Sequence, residues 1–169
     1  MSYSIGDKIV YPMHGAGVIV DKVDRKIMDE IRCYYVVKSP ISEMVAMLPV
    51  DNMDGIGIRD VITDSEADEL LDEIKTMDTE ETSNWNKRYR ENMEKLKDGS
   101  IYEIAQIAKS LMTRDKSLST GERKLMINAK NAVLSEIMLA KNISLVQAEN
   151  ALKESIYCNS AEDSAVKEE

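Results

Sequence analysis

Residues 84–90 read Asn-Trp-Asn-Lys-Arg-Tyr-Arg and hold the most chemically informative side chains of this chain. They include its one tryptophan, three basic residues and a tyrosine. An exposed indole beside basic side chains can stack on nucleic-acid bases or wedge between the bases of a strained duplex. If a helix begins here, its N-terminus would also favour a phosphate. The alternative from the residues alone is a tryptophan that anchors the helix to its neighbours, among solvated charges.

A second basic cluster is formed by Arg123 and Lys124, just after a predicted helix start. Such side chains can contact DNA phosphates, which positions a protein on a duplex without reading its sequence. The alternative is the ordinary charged surface of a helix.

Residues 25–27, Arg-Lys-Ile, fall between strand-like segments. We expect them at a hairpin tip or at the edge of a sheet. An exposed edge can pair with a strand of another protein, but a charged edge can also serve to prevent aggregation. The residues alone leave both interpretations open.

Residues suited to catalysis are scarce. The chain has one histidine, His14, and two cysteines, Cys33 and Cys158, that lie far apart. Zinc sites and Ser-His-Asp or Cys-His chemistry are therefore hard to build, and neither G-x-x-x-x-G-K-[ST] nor G-x-G-x-x-G occurs. The sequence therefore argues against an enzyme, and it indicates no metal and no cofactor. Two distant cysteines also fit a cytoplasmic protein without a disulfide framework.

The net charge of −9 hides an uneven distribution. Residues 60–81 hold ten acidic side chains and one basic one, whereas residues 82–157 hold thirteen basic and nine acidic ones. Local patches, more than the total charge, decide contacts with a polyanion. The acidic total therefore does not exclude nucleic acid as a partner of the C-terminal half.

The predicted secondary structure that positions these residues changes from strands to helices near residue 60. The 169 residues have ordinary globular composition, with no apolar run long enough for a bilayer and no readable signal peptide. Short β-prone segments, separated by proline and glycine, come first: 8–11, 15–20, 31–38, 44–48 and 56–58. They predict a small Tudor- or SH3-like β-barrel.

Helical periodicity begins at Asp64 and predicts about five helices. Asn84 and Ser100 are expected N-caps, and Ser119 with Glu122 forms a capping-box pattern. The fold class is therefore α+β and multidomain, with a β-barrel in residues 1–60 and a helical domain in residues 61–157. Residues 158–169 are acidic and predict a disordered tail.

Taken together, these motifs resemble the CarD/CdnL family of bacterial RNA polymerase-binding transcription regulators. The resemblance covers roughly residues 3–157. The motifs that carry it are, in order, Ile5-Gly6-Asp7, Val10-Tyr11-Pro12, His14-Gly15-Ala16-Gly17, Leu48-Pro49, Gly57-Ile58-Arg59-Asp60, Asn84-Trp85, Arg88-Tyr89, Asn92, Glu94-Lys95-Leu96, Gly99 and Gly121-Glu122.

The resemblance implies that a Tudor-like N-terminal domain binds the β subunit of RNA polymerase, with Arg25 and Ile27 at contact positions. It also implies that the helical domain contacts promoter DNA at the upstream edge of the melted region. There Trp85 would be a wedge in the minor groove. The implied basic DNA contacts are Lys87, Arg88, Arg90, Arg123 and Lys124.

One position departs from the family pattern. Members often carry a basic residue near the end of the strand that precedes Pro49, and this chain has Met47 there. The departure puts one expected salt bridge to the polymerase in doubt and suggests a weaker or differently packed interface.

The leading hypothesis is a monomeric, cytoplasmic regulator that stabilises the promoter open complex, with no membrane or small-molecule partner. The alternative is a protein-interaction adaptor without direct DNA binding, in which Trp85 is part of the core.

Overall fold

The computed structural model describes residues 3–79, 84–114 and 117–165, except for the side chains of Trp85 and of residues 159–165. Five strands precede five helices along these residues. The strands are β1 (Lys8–Tyr11), β2 (Gly15–Ile27), β3 (Glu30–Lys38), β4 (Val45–Pro49) and β5 (Arg59–Asp60). The helices are α1 (Asp64–Thr76), α2 (Trp85–Asp98), α3 (Ile101–Met112), α4 (Thr120–Lys141) and α5 (Leu145–Ala165).

The strands form one antiparallel sheet in the order β4-β3-β2-β1-β5. The sheet is open and does not close into a barrel, while the predicted class, a small strand domain followed by helices, is confirmed. Its two edges are β4 and β5, and β5 is only two residues long and pairs with β1. A strand this short offers too few backbone groups to bridge to the opposite edge. Between the edges the chain forms a 3-10 turn (Val50–Asn52) and buries Met53 and Ile58 against the sheet. The predicted strand 56–58 is wrong, since residues 56–57 lie in a turn and β5 begins only at Arg59.

The second strand runs to Ile27, well beyond the predicted segment 15–20, because it continues with the third strand as a hairpin. The pairing of β2 with β3 runs from Val18 and Lys38 out to Ile27 and Glu30. The turn residues Met28 and Asp29 both have positive φ, as a tight two-residue hairpin requires. Since β1 pairs with β2 only as far as Val18, and β4 with β3 only as far as Tyr34, the outer part is a two-stranded ribbon that projects into solvent.

The helices pack around one apolar core that includes Leu70, Ile74, Leu111 and Ile137. The predicted caps are present: Asn84 accepts from the backbone N–H of Lys87, and Ser100 forms a reciprocal capping box with Glu103. These side chains satisfy backbone donors that a helix start leaves unpaired. The change to helical periodicity in the sequence therefore coincides with the change from strands to helices in the structure.

The last helix extends through residues 158–165, for which the acidic composition predicts disorder. A helix that is already formed adds further residues at little cost, because each one gains a backbone hydrogen bond. The remaining residues of the predicted tail, 166–169, lie outside the described residues.

The sheet and the helices are in direct contact along α4. The backbone N–H of Ala16 donates to Ser135 Oγ at 2.9 Å, and Lys8 Nζ donates to the carbonyl of Leu139 at 2.7 Å. Gly15 has a φ of +86°, and a Cβ there would lie 2.7 Å from Ser135 Oγ. The strand thus approaches the helix more closely than a side chain would permit.

Across the described parts of the chain, every helix is too short or too polar to span a membrane.

Candidate functional site

The tryptophan helix begins as the sequence predicts. Trp85 is the first residue of α2, and Asn84 caps the helix through a 3.3 Å bond from the Lys87 N–H. The surroundings of the Trp85 indole lie outside the described side chains. Asn86, Lys87 and Arg90 are exposed, so the first turns of α2 present positive charge to solvent.

The third basic residue of this segment, Arg88, lies in a different environment. Its Nε and Nη2 donate to Glu122 Oε1 at 3.0 Å and 2.7 Å. The Arg88 side chain is 17% exposed and that of Glu122 is 4% exposed. The positive charge of Arg88 is therefore largely neutralised by the carboxylate of Glu122.

The second basic cluster adjoins the same ion pair. Arg123 and Lys124 are exposed in the first turn of α4, directly after Glu122. Arg88 and Glu122 are 34 residues apart in the chain, and their contact brings the start of α2 to the start of α4. The structure thus brings together the two helix starts that carry the predicted basic clusters. We refer to their exposed basic residues, Lys87, Arg90, Arg123 and Lys124, as the basic surface.

The three residues predicted to contact the polymerase lie on one face of the sheet. Met47 is opposite Val36, which is opposite Asp21, and Arg25 and Ile27 follow at alternate positions along β2. Directly opposed residues and alternate residues share a face in an antiparallel sheet. Arg25 and Ile27 on β2 therefore share one surface with Met47 on β4, at least 20 positions further along the chain. We call this surface the sheet face.

The sheet face is the side away from the sheet's own core. Tyr35 and Leu48 point to the other side and are 4% and 2% exposed. On the sheet face, Ile27 is 48%, Val45 is 56% and Met47 is 41% exposed. Since β4 is also an edge strand, this region offers unpaired backbone groups beside an apolar and basic surface, which is typical of a protein-binding site.

Two buried acidic residues were missed by the sequence reasoning. Glu122 and Glu136 both lie on α4, and their side chains are 4% and 1% exposed. Each forms an ion pair with an arginine from another element: Glu122 with Arg88, and Glu136 with Arg59. The available signal for Glu136 was its position inside an apolar run, because an acid there needs a buried partner.

A buried amine, Lys109, is also absent from the predicted site. Its Nζ donates to the carbonyls of Ile74, Lys75 and Met77 at 2.6, 3.3 and 2.9 Å, where α1 ends. These carbonyls lie at and just after the helix end, where intrahelical donors run out, although that of Ile74 also accepts from the Met77 N–H. Burial lowers the pKa of Lys109, and this outweighs the attraction of Asp78. We assign Lys109 a structural role.

The described residues contain no group of three His, Cys, Asp or Glu side chains placed to hold a metal ion. What the arrangement offers is binding: a sheet face suited to a protein and a basic surface suited to a polyanion. The fold therefore defines the class of protein: an antiparallel sheet domain followed by a helical domain, each with an exposed surface of its own.

Comparison with known proteins agrees with this class. Residues 3–62 match the CarD-like/TRCF RID domain, and residues 69–153 match the CarD C-terminal domain. The chain therefore belongs to the CarD family. It is 33% identical over 144 residues to the Bacillus subtilis (strain 168) protein named "Putative transcription factor YdeB", covering 84% of this chain and 94% of that protein.

Membership of this family identifies the type of the first domain and the process to which the chain belongs. The first domain is of the Tudor-like type that interacts with RNA polymerase, as the resemblance implies. The family as a whole links the chain to transcription regulation.

Proposed function

We propose that this protein is a non-enzymatic transcription regulator that binds the RNA polymerase β subunit and stabilises the promoter open complex. The observation that carries the proposal is that both halves match domains of one family, while the second half begins a helix at Trp85 beside exposed basic residues. It acts as a cytoplasmic monomer and needs no cofactor.

The polymerase contact is assigned to the sheet face. Arg25 and Ile27 are exposed on the projecting ribbon, and Met47 is exposed on the edge strand. With methionine at position 47, this part of the interface relies on apolar packing in place of a salt bridge.

The DNA contact is assigned to Trp85 and the basic surface. Lysine and arginine side chains that neutralise phosphates bind DNA with little dependence on sequence. The net charge of −9 would weaken binding to free DNA. Attachment to the polymerase raises the effective concentration of a weak contact, so the helical domain needs no strong affinity of its own.

Stabilisation of the open complex follows from differential binding. A ligand shifts an equilibrium only as far as it prefers one of the two states. An indole can wedge only where a base step has opened, and a preference of about 1.4 kcal/mol would shift melting tenfold. The regulator therefore favours melted DNA without any chemical reaction.

The test is the lifetime of the promoter open complex formed by RNA polymerase with saturating wild-type protein or the Trp85→Ala variant. We expect the variant to bind polymerase normally and to lose most of the increase in lifetime. Val146→Ala, which shortens an exposed side chain on α5, is the matched control.

A Trp85→Ala variant that binds polymerase and extends the lifetime as well as the wild type does would contradict the wedge. If replacement of all four residues of the basic surface by glutamine also had no effect, the adaptor without DNA binding would be the better description.

A further inference from the structure

Among the side chains that the structure describes, those in the first turn of α2 have little apolar contact with the rest of the protein. Among the described side chains of this helix, Leu96 is the buried one, and it lies near the C-terminal end. Tyr89 and Met93 pack partly against the core. In the first turn, Asn86 and Lys87 are exposed. The described apolar contacts thus lie after the first turn, and a contact nearer to Trp85 would help to hold that turn.

The Arg88–Glu122 ion pair is placed to do this. Arg88 lies one turn from Trp85, and two of its nitrogens bind one carboxylate oxygen that is almost fully buried. Charge-assisted hydrogen bonds of this kind are strong and demand a defined geometry, and a buried carboxylate strongly resists the loss of its partner.

Glu122 is itself held in place. It lies in the first turn of α4, where its backbone N–H donates to the N-cap Ser119 at 3.2 Å. A negative charge is favoured at this end of a helix. The carboxylate is therefore a rigid attachment point for the arginine, and it also directly precedes Arg123 and Lys124.

We propose that Glu122 is a positioning residue of the DNA-contacting surface. Through Arg88 it holds the tryptophan turn of α2 in register with the basic residues at the start of α4. In this arrangement Arg88 acts within the pair and not as a phosphate contact. The inference rests on the proposed function, which supplies the DNA contact that is being positioned.

The two roles of Arg88 make opposite predictions for Glu122. If Arg88 bound a phosphate, removing the neighbouring negative charge would free it, and the open complex would become longer-lived or stay the same. If Arg88 positions α2, Glu122→Gln releases the turn and shortens the lifetime, as Arg88→Gln does. Changes along a coupling network of this kind correspond to roughly two- to thirtyfold differences in an equilibrium.

The experiment measures open-complex lifetimes with RNA polymerase and the full-length chain. The variants are Glu122→Gln, Arg88→Gln, the double variant and Trp85→Ala, with the exposed Glu154→Gln on α5 as control. We expect both single variants to shorten the lifetime about two- to thirtyfold. The double variant is expected to be no worse than either, because both changes remove the same interaction. The control is expected to leave the lifetime unchanged.

A second readout needs no DNA. Trp85 is the one tryptophan of the chain, so its fluorescence anisotropy reports on the turn that is being held. Glu122→Gln is expected to increase the local mobility of the indole while the cooperative thermal transition remains. If that variant is unfolded at the assay temperature, Glu122→Asp, which shortens the reach by one methylene, is measured in its place with the same expectation.

The outcomes separate this inference from the function on which it rests. If Trp85→Ala leaves the lifetime unchanged, the wedge of the proposed function fails. If Trp85→Ala shortens it but the folded Glu122 variant leaves it unchanged or lengthens it, the positioning role is overturned. A shortened lifetime together with a more mobile indole supports the positioning role.

Discussion

Arg59 in the last strand and Glu136 in the middle of α4 are joined by two parallel hydrogen bonds. Nη1 donates to Oε1 at 2.6 Å and Nη2 donates to Oε2 at 2.9 Å. The backbone N–H of Ile62 also donates to Oε1, at 3.1 Å. The glutamate thus holds both the end of the sheet and the segment that leads to α1, and it attaches the polymerase-binding type of domain to the helical domain.

Replacing this glutamate is expected to loosen the contact between the domains. Glu136→Gln preserves the shape but leaves the guanidinium of Arg59 without its anion. Removing one partner of a buried pair costs about 3–5 kcal/mol, and we expect about 3 because Arg59 is 38% exposed. Urea denaturation of the variant and of the exposed Glu154→Gln control measures the difference. A loss below about 1 kcal/mol, the value of a surface pair, would contradict the role.

The close approach of β2 to α4 predicts an unequal response of two glycines to alanine. Gly15 and Gly6 both have positive φ, so alanine is strained at either position. A Cβ on Gly15 would also lie 3.1 Å from the Ala132 Cα, whereas Gly6 has no atom within 4 Å of that position. We expect Gly15→Ala to cost about 1–3 kcal/mol more of the unfolding free energy than Gly6→Ala. Equal losses in urea denaturation would show that α4 tolerates the extra atom.

The buried amine of Lys109 predicts a pH dependence of stability. Burial lowers the pKa of Lys109 in the folded state, so the unfolded chain holds more protons between that pKa and the ordinary lysine value of roughly 10.4. Within this interval stability gains a positive contribution as pH rises, because the cost of burying the charge is relieved. The contribution is complete once the pH exceeds the unfolded value.

The measurement compares thermal midpoints of wild type and Lys109→Met from a pH of about 8 to about 10.5. Subtracting the variant removes the titration of every other group that both proteins share. We expect the thermal midpoint of the wild type to rise relative to that of Lys109→Met as the pH rises. A difference that stays constant or falls would mean that the pKa of the buried amine is not lowered.

The sheet face predicts which charges on the ribbon affect polymerase binding. Arg25 lies on that face, and the next residue, Lys26, lies on the opposite one because side chains alternate along a strand. We expect Arg25→Glu to lower the amount of protein that co-purifies with RNA polymerase by roughly tenfold or more, since a reversed charge at an interface is repelled. Lys26→Glu is the matched control.

The control carries the same change of charge on the same strand. Equal retention of the wild type and both variants would show that the ribbon does not contact the polymerase. Equal loss with both would show that net charge, and not the sheet face, decides binding.

The helix starts illustrate what sequence reasoning could predict. Asn84, Ser100 and Ser119 cap α2, α3 and α4 as expected, and Ser144 with Gln147 forms reciprocal bonds at the start of α5. A cap depends on residues two or three positions apart, so a short window of sequence contains all the relevant groups.

The partner of the Glu122 carboxylate could not be predicted from neighbouring residues in the sequence. The pattern Ser-Thr-Gly-Glu predicts a capping box, and the bond from the Glu122 N–H to Ser119 Oγ is present. Yet the carboxylate binds Arg88, which belongs to another helix. No local pattern could identify that partner, because the choice depends on how α2 and α4 pack.

The middle of α4 shows the same limit for burial. Helical periodicity predicts one apolar face, but residues 132–138 are all buried. The helix lies between the other helices on one side and β2 on the other, so both of its faces lose water. Periodicity describes a helix with one solvated side and gives no indication of a second packed layer.

The amino-acid order was thus sufficient for the succession of strands and helices, the helix starts, the caps and the membership of both halves in one family, since these depend on neighbouring residues or on ordered motifs. Tertiary packing decided that the sheet is open, that Arg25 shares a face with Met47, and that Arg59 and Arg88 meet buried acids on α4. Each of these depends on contacts between residues far apart in the chain, whose geometry exists only after the domains have packed together.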